Sequence, residues 1–274
     1  MKLKHEDAIL KEVARKNIEG FAQLLGIESK VKEIYPTDGL HFDPKQFQAD
    51  MVYLLEDGTL LDIEFQTTFP KKDTMDRIKY YGAGLQFHTH KTTKSIIIYS
   101  GFNCDWRNID NLMELTDFFP RWILSRQKDA DKILSNIKNK IENNENLNSL
   151  DCCKLSLILL FGSKRTSYDV VKEASNIVIN AKSLSIEQKR HVANIQYILS
   201  DKFLPLNKRD EINEVFSVEL DLFDEFIEQG IEQGIERGKL EEASIIAKNI
   251  LDDGFPIGNI CKTTGLTKEE ILKL

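Results

Sequence analysis

The chain has 274 residues, of which 41% are hydrophobic, and its 37 basic and 44 acidic residues give a formal net charge of −7. This length suits one large domain or two smaller ones, and the composition excludes disordered and collagen-like proteins. No apolar run approaches the roughly 18 residues that a membrane-spanning helix needs, and the charged N-terminus lacks the apolar core of a secretory signal. We therefore predict a cytoplasmic protein with no membrane partner.

The negative charge is concentrated in one segment. Residues 219 to 242 contain nine acidic and two basic residues, whereas the rest of the chain contains 35 of each sign. Because the body of the protein is neutral, the overall charge does not exclude a polyanion such as DNA as a partner. Residues 121 to 140 carry six basic and two acidic residues. This pattern is typical either of a solvated helix face or of a surface that contacts phosphates.

The first part of the chain predicts an α/β fold. Apolar residues at helical spacing predict one helix over residues 6–25. Alternating residues then predict two strands, 46–55 and 60–68, which Glu56-Asp57-Gly58-Thr59 joins into a β-hairpin. A helix over 74–88 and a short buried strand over 95–99 follow.

The pattern after residue 110 is helical. It predicts a series of helices over residues 111–126, 128–143, 151–162, 167–181, 185–200 and 208–227. The predicted organisation is therefore a core with a mixed sheet, a helical region that completes the domain, an acidic helix and a small helical tail. These occupy residues 1–110, 111–218, 219–242 and 243–274, respectively.

Within the acidic segment, a four-residue unit of the form Ile-Glu-x-Gly occurs three times over residues 227–238. On a helix this period keeps Gly230, Gly234 and Gly238 on one face. Each glycine costs about 1 kcal/mol relative to alanine inside a helix. Close packing against another helix would offset that cost and predicts a homo-oligomer, although a repeat that is merely tolerated remains the alternative. The tail that follows is typical of either a DNA-reading helix-turn-helix or a packing cap.

The hairpin carries the chemically informative residues. Asp50 lies on its first strand, and Asp62, Glu64 and Gln66 alternate along one face of its second strand. Clustered carboxylates raise one another's pKa and cost stability unless a cation neutralises them. Mg²⁺ is commonly held by one or two protein carboxylates together with water and phosphate oxygens. Asp50 and Glu64 are therefore the predicted ligands for Mg²⁺, with Mn²⁺ as the alternative ion.

The loop of the hairpin determines whether these carboxylates meet. A two-residue Asp57-Gly58 turn would pair Asp50 with Phe65 and place Asp50 and Glu64 on opposite faces. A three-residue loop with Gly58 in the left-handed conformation, or a bulge within a strand, would place Asp50 beside Glu64 or Gln66. We predict the longer loop or a bulge.

These residues resemble a known family. A helix, an Asp on one hairpin strand, Glu-x-Gln on the next, then a helix and a strand, resemble the PD-(D/E)XK nuclease core over roughly residues 6–102. More narrowly, the chain resembles the recombination-promoting nucleases, bacterial DNA endonucleases also described as transposases. The glycine repeat and the KTTGLTKEEI ending are similar to that family's tail. The resemblance implies that Asp50 and Glu64 bind the metal and that Gln66 stands where the superfamily usually has a lysine.

Two departures from the superfamily pattern affect the expected chemistry. Ala49 replaces a proline that is not a ligand, and Gln66 is uncharged, so it can orient water or phosphate only by hydrogen bonding. The Glu-x-Gln form is typical of this branch, which implies a variant site that remains active. Arg77 is a candidate DNA-phosphate ligand, with an ion pair to Asp73 as the alternative. Asp7 or Glu12 of the first helix could add a carboxylate, with a solvated helix face as the alternative for each.

The sequence thus predicts a Mg²⁺-dependent DNA endonuclease, which the resemblance links to recombination or transposition. Asp50, Glu64 and Gln66 are its predicted catalytic residues. A non-catalytic DNA-binding protein, or an oligomeric assembly protein with a relic nuclease site, is the alternative.

Overall fold

The computed structural model describes residues 4–36, 49–102 and 104–220, and the isolated residues 247, 257 and 258. The chain divides into two units, Met1–Leu220 and Asp221–Leu274. The predicted glycine-repeat helix and nearly all of the predicted tail lie outside the described residues. Within the first unit the structure confirms an α/β fold with a mixed sheet.

The sheet of the first unit has five strands in sequential order. The first three strands are antiparallel and the last three are parallel, so the central strand β3 belongs to both arrangements. Parallel neighbours need crossover connections, and helices α3 and α4 provide them. The strands are β1 Val31–Ile34, β2 Met51–Leu55, β3 Leu60–Gln66, β4 Thr93–Tyr99 and β5 Arg121–Leu124.

Helices cover the sheet and form a layer beyond it. The described helices are α1 Lys4–Lys16, α2 Ile18–Leu24, α3 Lys72–Thr89, α4 Trp106–Thr116, α5 Ala130–Glu142, α6 Ser149–Ser156, α7 Ser167–Asn180, α8 Ile186–Phe203 and α9 Leu206–Leu220. Two short 3-10 segments, Ser125–Gln127 and Ile158–Leu160, connect them. Among the residues described, no helix is both long and apolar enough to cross a bilayer.

Both faces of the sheet are buried. On one face, Met75 and Ile78 of α3 and Ile109 of α4 share a hydrophobic cluster with Ile97 of β4. On the other face, the Tyr53 hydroxyl of β2 donates a hydrogen bond of 2.6 Å to the Ala14 carbonyl of α1. Helix α3 therefore covers the face of the sheet that carries Asp62 and Glu64.

Three local features differ from the prediction. The single helix expected over 6–25 is interrupted at Asn17, whose side-chain amide donates to the Ser149 carbonyl of α6 at 2.9 Å. Strand β1 was not predicted, and β5 lies inside the stretch expected to be helical over 111–126. Strands of only four residues, as β1 and β5 are, cannot be distinguished from helix segments by periodicity alone.

The hairpin loop has the predicted longer form. The Leu55 N–H donates to the Thr59 carbonyl at 2.9 Å, which leaves three residues in the loop, and Gly58 has a φ of +83°. Leu54 pairs with Leu60 and Met51 pairs with Ile63. One step further along this register, Asp50 lies opposite Glu64.

Replacing Gly58 tests the loop that sets this register. Gly58→Ala should lower the free energy of unfolding by about 1–2 kcal/mol, because a left-handed backbone strains a residue with a Cβ. Nothing lies within 4 Å of the added Cβ, so the cost comes from the backbone alone. Gly58→Asn should cost less, since asparagine tolerates this conformation better. Urea denaturation measures both, and equal stability of wild type and Gly58→Ala would contradict the assignment.

Candidate functional site

The predicted carboxylates Asp50 and Glu64 are neighbours at the open end of the hairpin. Asp50 immediately precedes β2, and its backbone N–H donates to Glu64 Oε1 at 3.3 Å. The Phe65 N–H in turn donates to Asp50 Oδ2 at 2.9 Å. The backbone of each strand therefore orients the carboxylate of the other, as the three-residue loop requires.

Helix α1 contributes two further charged residues. The Lys11 ammonium lies 2.7 Å from Asp50 Oδ1 and 3.1 Å from Asp7 Oδ2. Asp7 Oδ1 is buried and has no hydrogen-bond partner. Burial and the nearby Asp50 charge raise the pKa of Asp7. Asp7 is thus brought to the cluster, whereas Glu12 pairs with Lys16 at 3.1 Å on an exposed part of the helix.

Asp62 and Glu64 are almost inaccessible, with exposed fractions of 0% and 2%. The Ser95 hydroxyl donates to Asp62 Oδ2 at 3.1 Å, while Asp62 Oδ1 is buried without a partner. Burial, assisted by the charge of Asp50, raises the pKa of Asp62 to about 7. Burial also raises the pKa of Glu64 well above its usual value, and the charges of Asp62 and Asp50 add to the effect.

Helix α3 closes the cluster from the other side. Its Gly82 lies directly over the Ser95–Asp62 hydrogen bond, where an added Cβ would come within 2.9 Å of Ser95 Oγ. Arg77 is exposed, and its positive charge favours the ionised form of Glu64. Burial, together with the negative charges of Glu64, Asp50 and Asp62, raises the pKa of Tyr81 to about 12. The predicted phosphate ligand Arg77 thus lies within the electrostatic field of the carboxylates.

Gln66 occupies the last position of β3 and is partly exposed. Its backbone carbonyl accepts a hydrogen bond of 3.0 Å from the Ser100 N–H at the end of β4. The Ser100 hydroxyl donates to the buried carboxylate of Glu6, which also forms an ion pair with Lys202 of α8. A second, neutralised acidic group thus borders the position of Gln66.

The available donors are those that a hard divalent cation prefers, because carboxylate oxygens dominate Mg²⁺ and Mn²⁺ sites. Within the described part of the chain, no three His, Cys, Asp or Glu side chains form a group able to hold a metal ion. Mg²⁺ usually needs only one or two protein carboxylates and completes its shell with water and substrate. Asp50, Glu64 and the orphaned oxygen of Asp62 are therefore compatible with such an ion in donor type.

No family model, curated protein or solved structure matches the chain. The resemblance to PD-(D/E)XK nucleases therefore remains a prediction.

Three charged residues near the site, Lys11, Glu6 and Lys202, were not predicted from the sequence. Asp7 and Lys11 are spaced as an i,i+4 helix pair, which pointed to the helix surface and not to Asp50. The Glu6–Lys202 pair joins residues 196 positions apart. Nothing in the local sequence identifies contacts across such a separation.

Asp62→Asn tests the electrostatic cost of the cluster. The pKa of Asp62 is about 7 in the folded protein, against an ordinary value of 3.8. Between pH 3.8 and pH 7, the folded protein therefore keeps this carboxyl protonated, whereas the unfolded chain releases the proton. Wild-type stability should therefore fall as the pH rises from about 4 to 7, by about 1.4 kcal/mol per unit of pKa shift at most. The Asn variant should be more stable than wild type at pH 8 and should lose the part of this pH dependence that Asp62 contributes.

Asp57→Asn provides the control within the same hairpin. Hydrogen bonds from Thr59 lower the pKa of Asp57, so loss of this exposed carboxylate should reduce stability at pH 8. Thermal unfolding from pH 5 to 8 measures both variants. Parallel pH profiles for wild type and Asp62→Asn would show that Asp62 does not titrate as described.

Proposed function

We propose that the protein is a metal-dependent DNA endonuclease that hydrolyses phosphodiester bonds. The observation that carries this proposal is the pairing of Asp50 with Glu64 across the hairpin, beside the buried Asp62. A purely structural sheet gains nothing from these three carboxylates, because burial and mutual repulsion oppose their ionisation. Binding of a divalent cation would reverse that penalty.

The residues of the site have distinct roles in this proposal. When bound, Mg²⁺ or Mn²⁺ supplies Lewis-acid polarisation of the phosphate and lowers the pKa of a water molecule. Asp50 and Glu64 hold the ion, and their strands fix both side chains through the Phe65 and Asp50 N–H groups. Gln66 orients water or a phosphate oxygen by hydrogen bonding, and Arg77 contacts a neighbouring DNA phosphate.

The fold is compatible with this function. A hairpin followed by a helix and a parallel strand occurs in the order expected for a PD-(D/E)XK-like core, and the helical region from α5 onward completes the domain. We therefore propose membership of the recombination-promoting nuclease branch. A role in recombination or transposition in a bacterial cytoplasm follows from that proposal alone.

Nicking of supercoiled plasmid in Mg²⁺ or Mn²⁺ tests the catalytic assignment. Asp50→Asn and Glu64→Gln should each reduce the rate by at least about 100-fold, since each removes a charged ligand and preserves its shape. Gln66→Ala should cause a smaller loss, because it removes a hydrogen bond without changing charge. Glu12→Gln is the matched control, since Glu12 is a carboxylate outside the cluster.

The outcomes separate the alternatives. Equal nicking by wild type and Asp50→Asn would contradict the metal site. If wild type and all variants bind DNA but none of them cleaves it, the result would instead favour the non-catalytic DNA-binding alternative.

We also propose that the acidic segment 219–242 mediates homo-oligomerisation through its glycine repeat. A segment this acidic would repel DNA, so a protein surface is the more favourable partner. A chain ending at Leu220, the last residue of the first unit, should sediment at a lower mass than the full chain by more than the deleted residues account for. Subunit stoichiometry that is unchanged by the truncation would contradict this assignment.

A further inference from the structure

Lys11 of α1 contacts two carboxylates, that of Asp7 on its own helix and that of Asp50 in the hairpin. Its ammonium bridges Asp50 Oδ1 at 2.7 Å and Asp7 Oδ2 at 3.1 Å. The two oxygens of Asp50 contact different groups, because the Phe65 N–H donates to Oδ2 while Lys11 lies on Oδ1. The lysine therefore directly contacts Asp50, one member of the Asp50–Glu64 pair.

This arrangement differs from an ordinary surface ion pair on the same helix. Lys16 pairs with Glu12 one turn away, and 64% of its side chain is exposed. The Lys11 side chain is only 30% exposed, and it reaches Asp50 in a different element. Exposed i,i+4 ion pairs contribute little to stability. The Lys16–Glu12 pair is of this kind, and helix geometry alone accounts for it.

We propose that Lys11 is a catalytic residue of the nuclease site, where its ammonium binds the phosphate undergoing cleavage. This inference rests on the proposed function. Asp50 would hold the divalent ion in place of its contact with Lys11, and Asp7 would keep the lysine ammonium nearby. A retained positive charge then neutralises the charge that develops on the phosphate, a contribution that the uncharged Gln66 does not make.

The proposal has two consequences that differ in sign. Lys11 competes with the ion for Asp50 Oδ1, so its removal should strengthen metal binding. The same removal should slow cleavage, because the phosphate loses its cationic contact. If Lys11 served only to hold α1 in place, its removal would weaken metal binding and cleavage or leave both unchanged. Metal affinity and cleavage therefore distinguish the two roles.

The test compares Lys11→Met, Lys11→Gln and Lys11→Arg in the full chain, with Lys16→Met as the matched control. The probes are Mn²⁺ binding by electron paramagnetic resonance without DNA, and plasmid nicking at saturating Mn²⁺. Lys11→Met should bind Mn²⁺ about fivefold more tightly, as expected for loss of one partly exposed competing charge. Its nicking rate should fall on the order of 100-fold. Lys11→Arg should recover part of that rate, and Lys16→Met should match wild type.

Each outcome has a definite meaning. Lys11→Gln keeps a hydrogen-bond donor beside Asp50, so it replaces Lys11→Met if circular dichroism shows that the methionine variant is unfolded. Wild-type Mn²⁺ affinity and wild-type nicking in the folded neutral variant would overturn the role of Lys11 and leave the nuclease proposal intact. A wild-type protein that neither binds Mn²⁺ nor nicks DNA would overturn both.

Discussion

The register of the β2–β3 hairpin is the constraint on which the carboxylate site depends. Successive side chains of a strand point to opposite faces, so a shift of one residue would separate Asp50 from Glu64. The left-handed Gly58 permits the three-residue loop, and that loop fixes the pairing of Met51 with Ile63. The strand backbones then hold the two carboxylates through reciprocal N–H donation. A backbone property of one glycine thus determines the geometry of side chains six and eight positions away.

The buried acids of this fold fall into two electrostatic classes. Glu6 is 3% exposed, but the Ser100 hydroxyl donates to it and Lys202 neutralises it. Asp62 and Glu64 are equally buried, yet Asp62 keeps an oxygen without a partner and both carboxylates have raised pKa values. Ionising a buried carboxylate without compensation costs several kcal/mol in general, and the raised pKa values of Asp62 and Glu64 reflect that cost. The contrast with Glu6 shows that this chain can neutralise a structural buried acid, which favours a ligand-binding role for the other two.

Sequence patterns were informative where local chemistry decides the structure. Asp57-Gly58 between two alternating segments was sufficient to predict the hairpin, and the need to align Asp50 with Glu64 predicted the longer loop that the structure has. Strand β5 was missed because its four residues, with buried Trp122 and Leu124, satisfy helical and extended patterns equally. Coverage of the acidic face by α3, and the contact between Lys11 and Asp50, depend on tertiary packing. Periodicity carries no information about which helix face meets which strand end.

Packing between α1 and β2 connects the stability of the fold to the position of Lys11. The Tyr53 hydroxyl donates to the Ala14 carbonyl, and three residues earlier along each element Lys11 meets Asp50. Residues three positions apart on a strand point to opposite faces, so Asp50 does not face α1 as Tyr53 does. The long side chain of Lys11 nevertheless brings its ammonium to 2.7 Å from Asp50 Oδ1. Any displacement of α1 that broke the buried tyrosine hydrogen bond would also move the ammonium, so the core contact fixes the charge at the site.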